Sequence, residues 1–479
     1  MMETDLTLDK LPETILEEIF ALIPKKLNLR LVCKTFKNII DNSARLLKDE
    51  WLSVENTLTL NSSNIHYPYQ KLVLHSMGAM ELYWISKYQH KDLIKKIRIT
   101  SGERCPTMLQ YIISNFNSLE VLDFDLDRFY DEHFFMNSNM KLEQNERSKL
   151  NTLRIGYFQD NQYNILEMFA NITSIKNVYI HDFNELRFPE NVQWKLEKLI
   201  IPDRDEPDWT NEINDENCKQ FLLNQTTLKE LRCFDSYDYA MLIMKNLLNL
   251  ERLTLNIKKI SAVNNEFLIS NKKLQHLGLN FMCQLKLKAL KTFLSHYNNI
   301  KELCLTSSYC YEYTGRIPML DMEFENLTHL FLKSPICLYI LKAKLPKLKV
   351  LGLFILNEKL NFGELTVEHM KNVEKLSISE FGAKYVTSIV QKCPKLTHLN
   401  VEFRDWYGQI KTFIGDILEV APQIEFVGIV RNHLRDQEEP EKFLEDASDF
   451  GIMLKVYDDI TSIMAEDWGR EVADYLNLW

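Results

Sequence analysis

Motifs of catalysis and of cofactor binding are missing from this chain of 479 residues. It contains no H-E-x-x-H, no G-x-S-x-G, no P-loop and no dinucleotide-binding glycine motif. Only 13 glycines occur, and they are dispersed, whereas a loop that cradles phosphate needs several close together. These absences argue against the common hydrolase and nucleotide-binding classes. We therefore predict a protein that is not an enzyme, with no catalytic residue and no cofactor.

Metal-ligand and disulfide patterns are also lacking. The nine cysteines are scattered, odd in number and without a C-x-x-C pair, so they indicate neither a disulfide framework nor a zinc site. His276, His329 and His398 occupy the same position of the repeat described below. The first two are two repeats apart, about 10 Å at the spacing of strands, whereas zinc ligands lie at about 2 Å. No metal site is predicted.

Positive charge is not in excess, because the formal net charge is −10. This balance argues against nucleic acid as the main ligand, since binding to the phosphate backbone depends on lysine and arginine. No apolar run reaches the roughly 18 residues of a membrane span, and the first ten residues lack the apolar core of a signal peptide. The sequence thus predicts no membrane partner and a cytoplasmic or nuclear location.

What the chain does have is an internal repeat. A pattern of apolar-x-x-apolar-x-apolar returns about every 25 residues, within the range of leucine-rich repeats. Such phased recurrence is typical of a solenoid, in which each unit buries its apolar side against its neighbours. The middle apolar position falls at Leu72, Ile97, Leu122, Leu153, Val178, Leu199, Leu231, Leu253, Leu277, Leu303, Leu330, Leu351, Leu376, Leu399 and Val427.

Segments with helical spacing lie between these strand motifs. Examples are 109–116, 165–172, 290–297 and 386–393, where apolar residues recur at i, i+3 and i+4. The alternation predicts an α/β fold, a leucine-rich-repeat solenoid with parallel inner strands and outer helices. Polar, acidic residues 202–217 predict a solvated loop, and tyrosines in 308–324 predict a loop at the rim. After 430, an acidic segment, a strand at 452–456 and a helical cap at 460–478 are expected.

The first 50 residues follow a different pattern. Leu16, Ile19, Phe20 and Ile23 form one helical stripe, which ends before Pro24, and a second stripe extends from residue 29 to residue 40. A unit of some 40 residues with two apolar stripes cannot bury both by itself. Either the first repeat or a separate protein must cover them.

Two segments of this module, LPETILEEIFALIP and NLRLVCKTFKNII, resemble an F-box. The F-box is the motif by which substrate receptors of ubiquitin ligases hold the Skp adaptor, which in turn binds a cullin scaffold. The segments LPKLKVLGL and CPKLTHLNV also resemble the leucine-rich repeats of F-box proteins. The resemblance implies a small all-α module ahead of the solenoid and an intracellular receptor that makes and breaks no bonds.

Carried onto this chain, the resemblance implies a set of apolar contacts with the adaptor. They are Leu11, Pro12, Leu16, Ile19, Phe20, Leu31, Val32 and Phe36, of which Pro12 and Ile19 are the foremost surface anchors and some others are internal to the module. The partner held by the repeats is an unknown target protein. Its predicted contacts flank the strand leucines on the inner face and include aromatics with arginine, which are typical of interface anchors. They are Arg154, Tyr179, Lys198, Arg232, Phe234, Phe331, Lys333 and Phe354.

The predicted organisation is an F-box-like module at 8–50, a solenoid at 51–430, and an acidic loop with a cap at 431–479. The leading hypothesis is a substrate receptor of a Skp–cullin–F-box ubiquitin ligase. A rival hypothesis is an interaction scaffold unconnected with ubiquitin, in which the first helices only cap the array. A third is an extracellular receptor glycosylated at the sequons of Asn61, Asn171, Asn224 and Asn326.

Overall fold

Short strands with buried leucines build this fold, and the chain divides into two compact units. The first comprises 1–201 and 208–227, and the second 202–207 and 228–479. The computed structural model describes the following residues: 11–23, 29, 31–48, 50–54, 67–75, 88–100, 105–124, 141–143, 149–156, 165–180, 188, 192–201, 215–234, 246–257, 272–281, 290–291, 294–295, 297, 299–307, 322–333, 340–341, 343–354, 367–379, 383–402, 410–430 and 451–457.

Short parallel strands follow one another in chain order through the first unit, each hydrogen-bonded to the next. These strands are β1 (Trp51–Val54), β2 (Lys71–Leu74), β3 (Lys96–Ile99), β4 (Val121–Phe124), β5 (Thr152–Ile155), β6 (Asn177–Ile180) and β7 (Lys198–Ile200). The sequence pattern predicted six of them. It missed β1, in which Leu52 and Val54 are buried in register with Leu72 and Leu74.

The second unit continues the same scheme, again with parallel neighbours in chain order. Its strands are β8 (Glu230–Phe234), β9 (Arg252–Ile257), β10 (His276–Phe281), β11 (Glu302–Ser307), β12 (His329–Lys333), β13 (Val350–Phe354), β14 (Lys375–Ser379), β15 (His398–Glu402), β16 (Phe426–Val430) and β17 (Met453–Tyr457). The expected last strand is β17. The register brings the repeat leucines side by side, as in Leu303, Leu330 and Leu351, all fully buried.

Three helices precede the first strand, and others occupy the chain between strands. They are α1 (Glu13–Ala21), α2 (Lys34–Asn42), α3 (Ala44–Leu47), α4 (Cys105–Asn115), α5 (Ile165–Met168), α6 (Asp215–Leu223), α7 (Ala383–Val390) and α8 (Ile410–Val420), with 3-10 turns at Lys91–Leu93 and Val367–Asn372. Helix α4 buries Leu109, Ile112 and Ile113, and α7 buries Val386, Ile389 and Val390, as their spacing predicted. Parallel strands with intervening helices make this an α/β leucine-rich-repeat solenoid.

Some predictions need correction or lie outside the described residues. The polar run 202–217 is not all loop, because α6 begins at Asp215, and Asn217 exchanges side-chain hydrogen bonds with the backbone of Phe188 at 2.8 and 3.0 Å. The second apolar stripe near the start is not one helix, since α2 begins only at Lys34, where Cys33 Sγ accepts a hydrogen bond from the Phe36 amide. Residues 308–321, 431–450 and 458–479, with the predicted tyrosine loop and terminal cap, are outside the described part.

Two glycines allow a matched test of the strand packing. A Cβ atom added to Gly428 in β16 would overlap Asn400 Oδ1 and stand 2.7 Å from Tyr457 Cε2, and both neighbours are buried. We expect Gly428→Ala to lower the free energy of unfolding by about 1–3 kcal/mol, the usual cost of overpacking.

Gly415 in α8 is the control, because a Cβ atom there would meet nothing within 4 Å. Its replacement by alanine should raise the free energy of unfolding by up to about 1 kcal/mol through helix propensity. Denaturant titration of both variants measures the difference. Equal effects of the two substitutions would show that Gly428 does not make room for its neighbours.

Candidate protein-interaction surfaces

The core of the amino-terminal module uses three of the residues predicted to contact the adaptor. Leu16, Phe20 and Phe36 are 0%, 1% and 6% exposed, and the two rings meet edge to face with centroids 4.8 Å apart. Some of the eight predicted contacts were expected to be internal to the module, and these three are buried in its core. Helices α1 and α2 turn these side chains toward each other, so in the folded chain they stabilise the module and do not present surface.

A second apolar face of α1 points away from that core. Pro12, Ile15, Ile19 and Leu22 are spaced by three, four and three residues and therefore share one side of the helix. Pro12 is exposed, Ile15 and Leu22 are 47% and 84% exposed, and Ile19 is half-buried. We call these four residues the helix stripe. Ile15 and Leu22 were not among the predicted contacts, although their spacing from Pro12 and Ile19 was visible in the sequence.

Leu31 and Val32, two more of the predicted adaptor contacts, lie just before α2 and are exposed like Pro12. Their exposed fractions are 88% and 63%, although both side chains are apolar. Leu11 is half-buried. Two adjacent large apolar side chains as exposed as Leu31 and Val32 are typical of a protein-interaction surface.

The third helix is tied to α1 by polar contacts, which fixes the module. Ser43 and Glu17 form a hydrogen bond, and Arg45 pairs with Glu18 through both of its terminal nitrogens. The hydrogen bond and the charge of Arg45 together lower the pKa of Glu18. Gln70 Nε2 donates to the Ala44 carbonyl at 3.4 Å, which joins α3 to the segment before β2. The module is thus attached directly to the first repeats.

The solvent face of strands β1–β7 is strongly basic. We call it the basic strip, and it consists of Lys71, Lys96, Arg98, Arg154 and Lys198, with the aromatic residues Trp51 and Tyr179. Within these seven strands, all described, the only acidic residue is Asp123. Three of the predicted target contacts, Arg154, Tyr179 and Lys198, belong to this strip, and each is half-buried.

One end of the basic strip is organised around Trp51. The charged ends of Lys71, Lys96 and Arg98 lie 5.9, 5.0 and 5.1 Å from its ring centroid, within cation–π range. Asp123 accepts a hydrogen bond from Arg98 Nε at 3.1 Å and is 3.5 Å from Lys96 Nζ. Burial lowers the pKa of Lys96, Asp123 opposes that effect, and the charges of Arg154 and Arg98 add to it.

The other end of the basic strip is organised around Tyr179. Arg154 Cζ is 4.6 Å and Lys198 Nζ is 5.4 Å from the ring centroid of Tyr179. Arg154 stands opposite Tyr179 in the strand register, whereas Lys198 on β7 stands opposite Asn177, two residues before Tyr179 on β6. Among the described residues, the buried Nε of Arg154 has no hydrogen-bond acceptor. The side chain therefore carries an N–H that the described part of the chain leaves without an acceptor.

The second unit holds the remaining predicted target contacts, and two of them are buried. Phe331 and Phe354 are 0% and 8% exposed, with ring centroids 4.7 Å apart. Strand alternation predicted an exposed pair. The physical reason for the difference is Gly352, which pairs with Phe331 across the strands and has no side chain, so the phenyl ring of Phe331 covers it. Lys333 is half-buried, and the side chain of Phe234 lies outside the described residues.

Arg232, the last predicted contact, lines a small cavity of about 50 Å³ on strands β8–β11. Its Nε is 3.4 Å from Glu230 Oε1, and the cavity wall also includes Arg252, His276 and Glu302. Two arginines therefore face two glutamates, and this balance of charge favours no one class of ligand. We assign the cavity no role.

Beside this cavity, Glu302 lies between His276 and His329 in the strand register. Burial raises the pKa of Glu302, but the hydrogen bond and charge of His276, with the charges of His329 and Arg252, outweigh it and leave the pKa below 4.5. For His329, burial lowers the pKa below 6.5, and this effect exceeds the opposing attraction of Glu302, with His276 and Lys375 adding to the lowering.

These shifts predict how stability changes with pH. Both folded pKa values lie below the unfolded ones, so each group contributes stability that is present above its unfolded pKa and is lost as pH falls through the folded pKa. The His329 contribution should begin to decline below pH 6.5 and the Glu302 contribution below pH 4.5. In His329→Gln, the fall in melting temperature between about pH 7 and about pH 5 should shrink. An undiminished fall would contradict this assignment.

Two kinds of site are absent from the described part of the chain. No group of three or more histidine, cysteine, aspartate or glutamate side chains is placed to hold a metal ion there. Among the same residues, no helix has both the length and the apolar character needed to span a membrane.

Comparison with known proteins identifies the amino-terminal module. Residues 8–48 match the F-box domain family, so the chain carries an F-box domain ahead of its repeats. No curated protein sequence matches the chain significantly. One similar solved structure is the TLR13–ssRNA13 complex, with 16% identity, a TM-score of 0.38 and coverage of 81% of this chain.

A second similar structure is the complex of Toll with Spatzle from Drosophila, with 11% identity, a TM-score of 0.28 and coverage of 82% of this chain. The aligned part spans 58% of the length of each of these two proteins. Both TM-scores are low, and the assignment of a leucine-rich-repeat fold rests instead on the strand register described above.

Proposed function

We propose that this chain is the substrate-receptor subunit of a Skp–cullin–F-box ubiquitin ligase. The observation that carries the proposal is an F-box domain whose apolar residues are divided between a core and an exposed set, with Leu31 and Leu22 88% and 84% exposed. A partner that covers exposed leucines of this kind stabilises the complex by about 25 cal/mol per Å² of apolar surface removed from water. The Skp adaptor, and through it the cullin, is the partner that an F-box implies.

The repeats then supply the surface that holds the target protein. In this proposal the F-box module covers 8–50, the repeats 51–430 and the terminal segment 431–479, and the complex works in the cytoplasm or the nucleus. The receptor itself carries out no chemistry. It raises the effective concentration of a target lysine near the ubiquitin-charged enzyme by holding both in one complex.

Reconstitution tests the proposal. The full chain is co-expressed with the Skp adaptor and purified by size exclusion, and then the cullin is added. We expect a stoichiometric complex with the adaptor that recruits the cullin and supports ubiquitin transfer to proteins bound by the repeats. If the folded chain elutes without the adaptor, the receptor function is wrong, and an interaction scaffold unconnected with ubiquitin becomes the better interpretation.

A further inference from the structure

The basic strip of the first unit contrasts with the charge of the whole chain. The chain has a formal net charge of −10, whereas strands β1–β7 carry five basic residues and one acidic residue. All six charged residues lie on one face of the strands, opposite to the face of the buried apolar residues that alternate with them. Random placement of surface charge on an acidic protein does not favour such a patch, so a ligand of negative charge is its natural complement.

Asp123 is the one acidic partner that strands β1–β7 themselves supply. It pairs with Arg98 and Lys96 at one end of the strip. At the other end, Arg154 is held against Tyr179, and its buried Nε has no acceptor among the described residues. A buried donor of a charged group that has no acceptor is unfavourable, because it has lost the hydrogen bond that water would supply. An incoming acceptor removes this cost.

We propose that the basic strip binds an acidic, carboxylate-rich segment of the target protein in an extended conformation. The inference rests on the proposed receptor function and names the chemistry of its target. Six strand spacings of about 4.8 Å make the strip about 29 Å long, which an extended peptide of about nine residues spans. Carboxylates along such a peptide would pair with the cations along the strip. The apolar part of the peptide would contact the faces of Trp51 and Tyr179, beside which these cations lie.

The distribution of the cations favours carboxylates over a single phosphate group. A phosphate dianion is bound best where several donors converge on one point. Here the cations form two groups, one at Trp51 that already contains Asp123 and one at Tyr179 on strands further along. A nucleic acid could stack its bases on the aromatic rings. Its phosphate backbone would gain little more, because the strip has only five cations on a chain of net charge −10.

The test measures binding of a fluorescein-labelled peptide of about 12 residues, in which glutamate and serine alternate, to the full chain by fluorescence anisotropy. We expect Arg154→Gln with Lys198→Gln to weaken binding about tenfold or more, and rising salt to weaken binding to the unsubstituted chain. The control is Lys176→Gln in the same unit, since Lys176 is exposed and is already paired with Glu197 at 3.0 Å. It should bind the peptide as the unsubstituted chain does.

Three results would overturn the proposal. They are no binding of the glutamate peptide, equal binding by the Arg154→Gln, Lys198→Gln variant, and binding only of a phosphoserine peptide or a single-stranded oligonucleotide supplied in parallel. Melting temperatures of all variants exclude unfolding as the cause of any loss. Capture of the Skp adaptor, measured on the same samples, separates the two proposals, because the F-box residues are untouched and adaptor binding should persist whether or not the peptide binds.

Discussion

Leu31→Asp combined with Val32→Asp should abolish capture of the Skp adaptor and leave the fold of the chain intact. The two side chains are 88% and 63% exposed, so a carboxylate at either position stays in water and costs the folded chain little. In a complex, the same carboxylates would be buried against an apolar partner without a countercharge. Two such residues, each contributing more than about 1 kcal/mol at an interface, together imply a loss of affinity of about 30-fold or more.

The measurement is a pull-down with purified adaptor, followed by calorimetry, with the melting temperature as a check on folding. Leu248→Asp is the matched control, because Leu248 is also an exposed leucine, at 52%, but lies in the second unit far along the sequence from the F-box domain. It should bind the adaptor normally. Unchanged affinity in the Leu31→Asp, Val32→Asp variant would show that the exposed pair does not contact the adaptor.

The helix stripe can be examined in the same way with Pro12→Ala and Ile19→Asp. Pro12 and Ile19 share a face of α1 with Ile15 and Leu22, so this variant asks whether that face belongs to the same interface. Loss of affinity in both variants would define one continuous contact surface. Loss in only one would restrict the interface to the segment before α2 or to α1.

The buried leucines of the repeats were predictable from the sequence because their spacing follows from the strand geometry itself. A residue that recurs with the strand pattern must face the core in every unit, and the positions around Leu277, Leu303 and Leu330 do so. Strand β1 was missed because it precedes the first clear repeat and because Asp49 stands where the pattern requires its first apolar residue. As a result Trp51, around which three cations gather, was absent from the predicted surface.

The division of the F-box residues into core and surface was not predictable to the same degree. Helix α1 has apolar residues on two faces, Leu16 with Phe20 and Ile15 with Leu22, and periodicity alone does not tell which face meets α2. The face with Leu16 and Phe20 is the one that meets α2, because the ring of Phe20 packs against the ring of Phe36. Similarly, the alternation of side chains along β12 predicted that Phe331 is exposed. It does not take into account that Gly352 on the neighbouring strand leaves room for the ring of Phe331.

Phe20→Ala should abolish adaptor capture by a different route, through loss of the folded module. The side chain is 1% exposed and packs edge to face on Phe36, so its truncation removes buried apolar surface and leaves a cavity. Phenylalanine-to-alanine changes in cores cost about 3–5 kcal/mol, a large part of the 5–15 kcal/mol that stabilises a typical domain. Three short helices have few other contacts with which to offset such a loss.

Leu22→Ala on the same helix is its control, since Leu22 is 84% exposed and its truncation should change the free energy of unfolding by less than about 0.5 kcal/mol. Circular dichroism and denaturant titration should therefore separate Phe20→Ala, which loses stability and binding together, from Leu31→Asp with Val32→Asp, which loses binding alone. If Phe20→Ala were as stable as the unsubstituted chain but failed to capture the adaptor, Phe20 would be a contact residue after all, and the division of this F-box domain into core and surface would have to be redrawn.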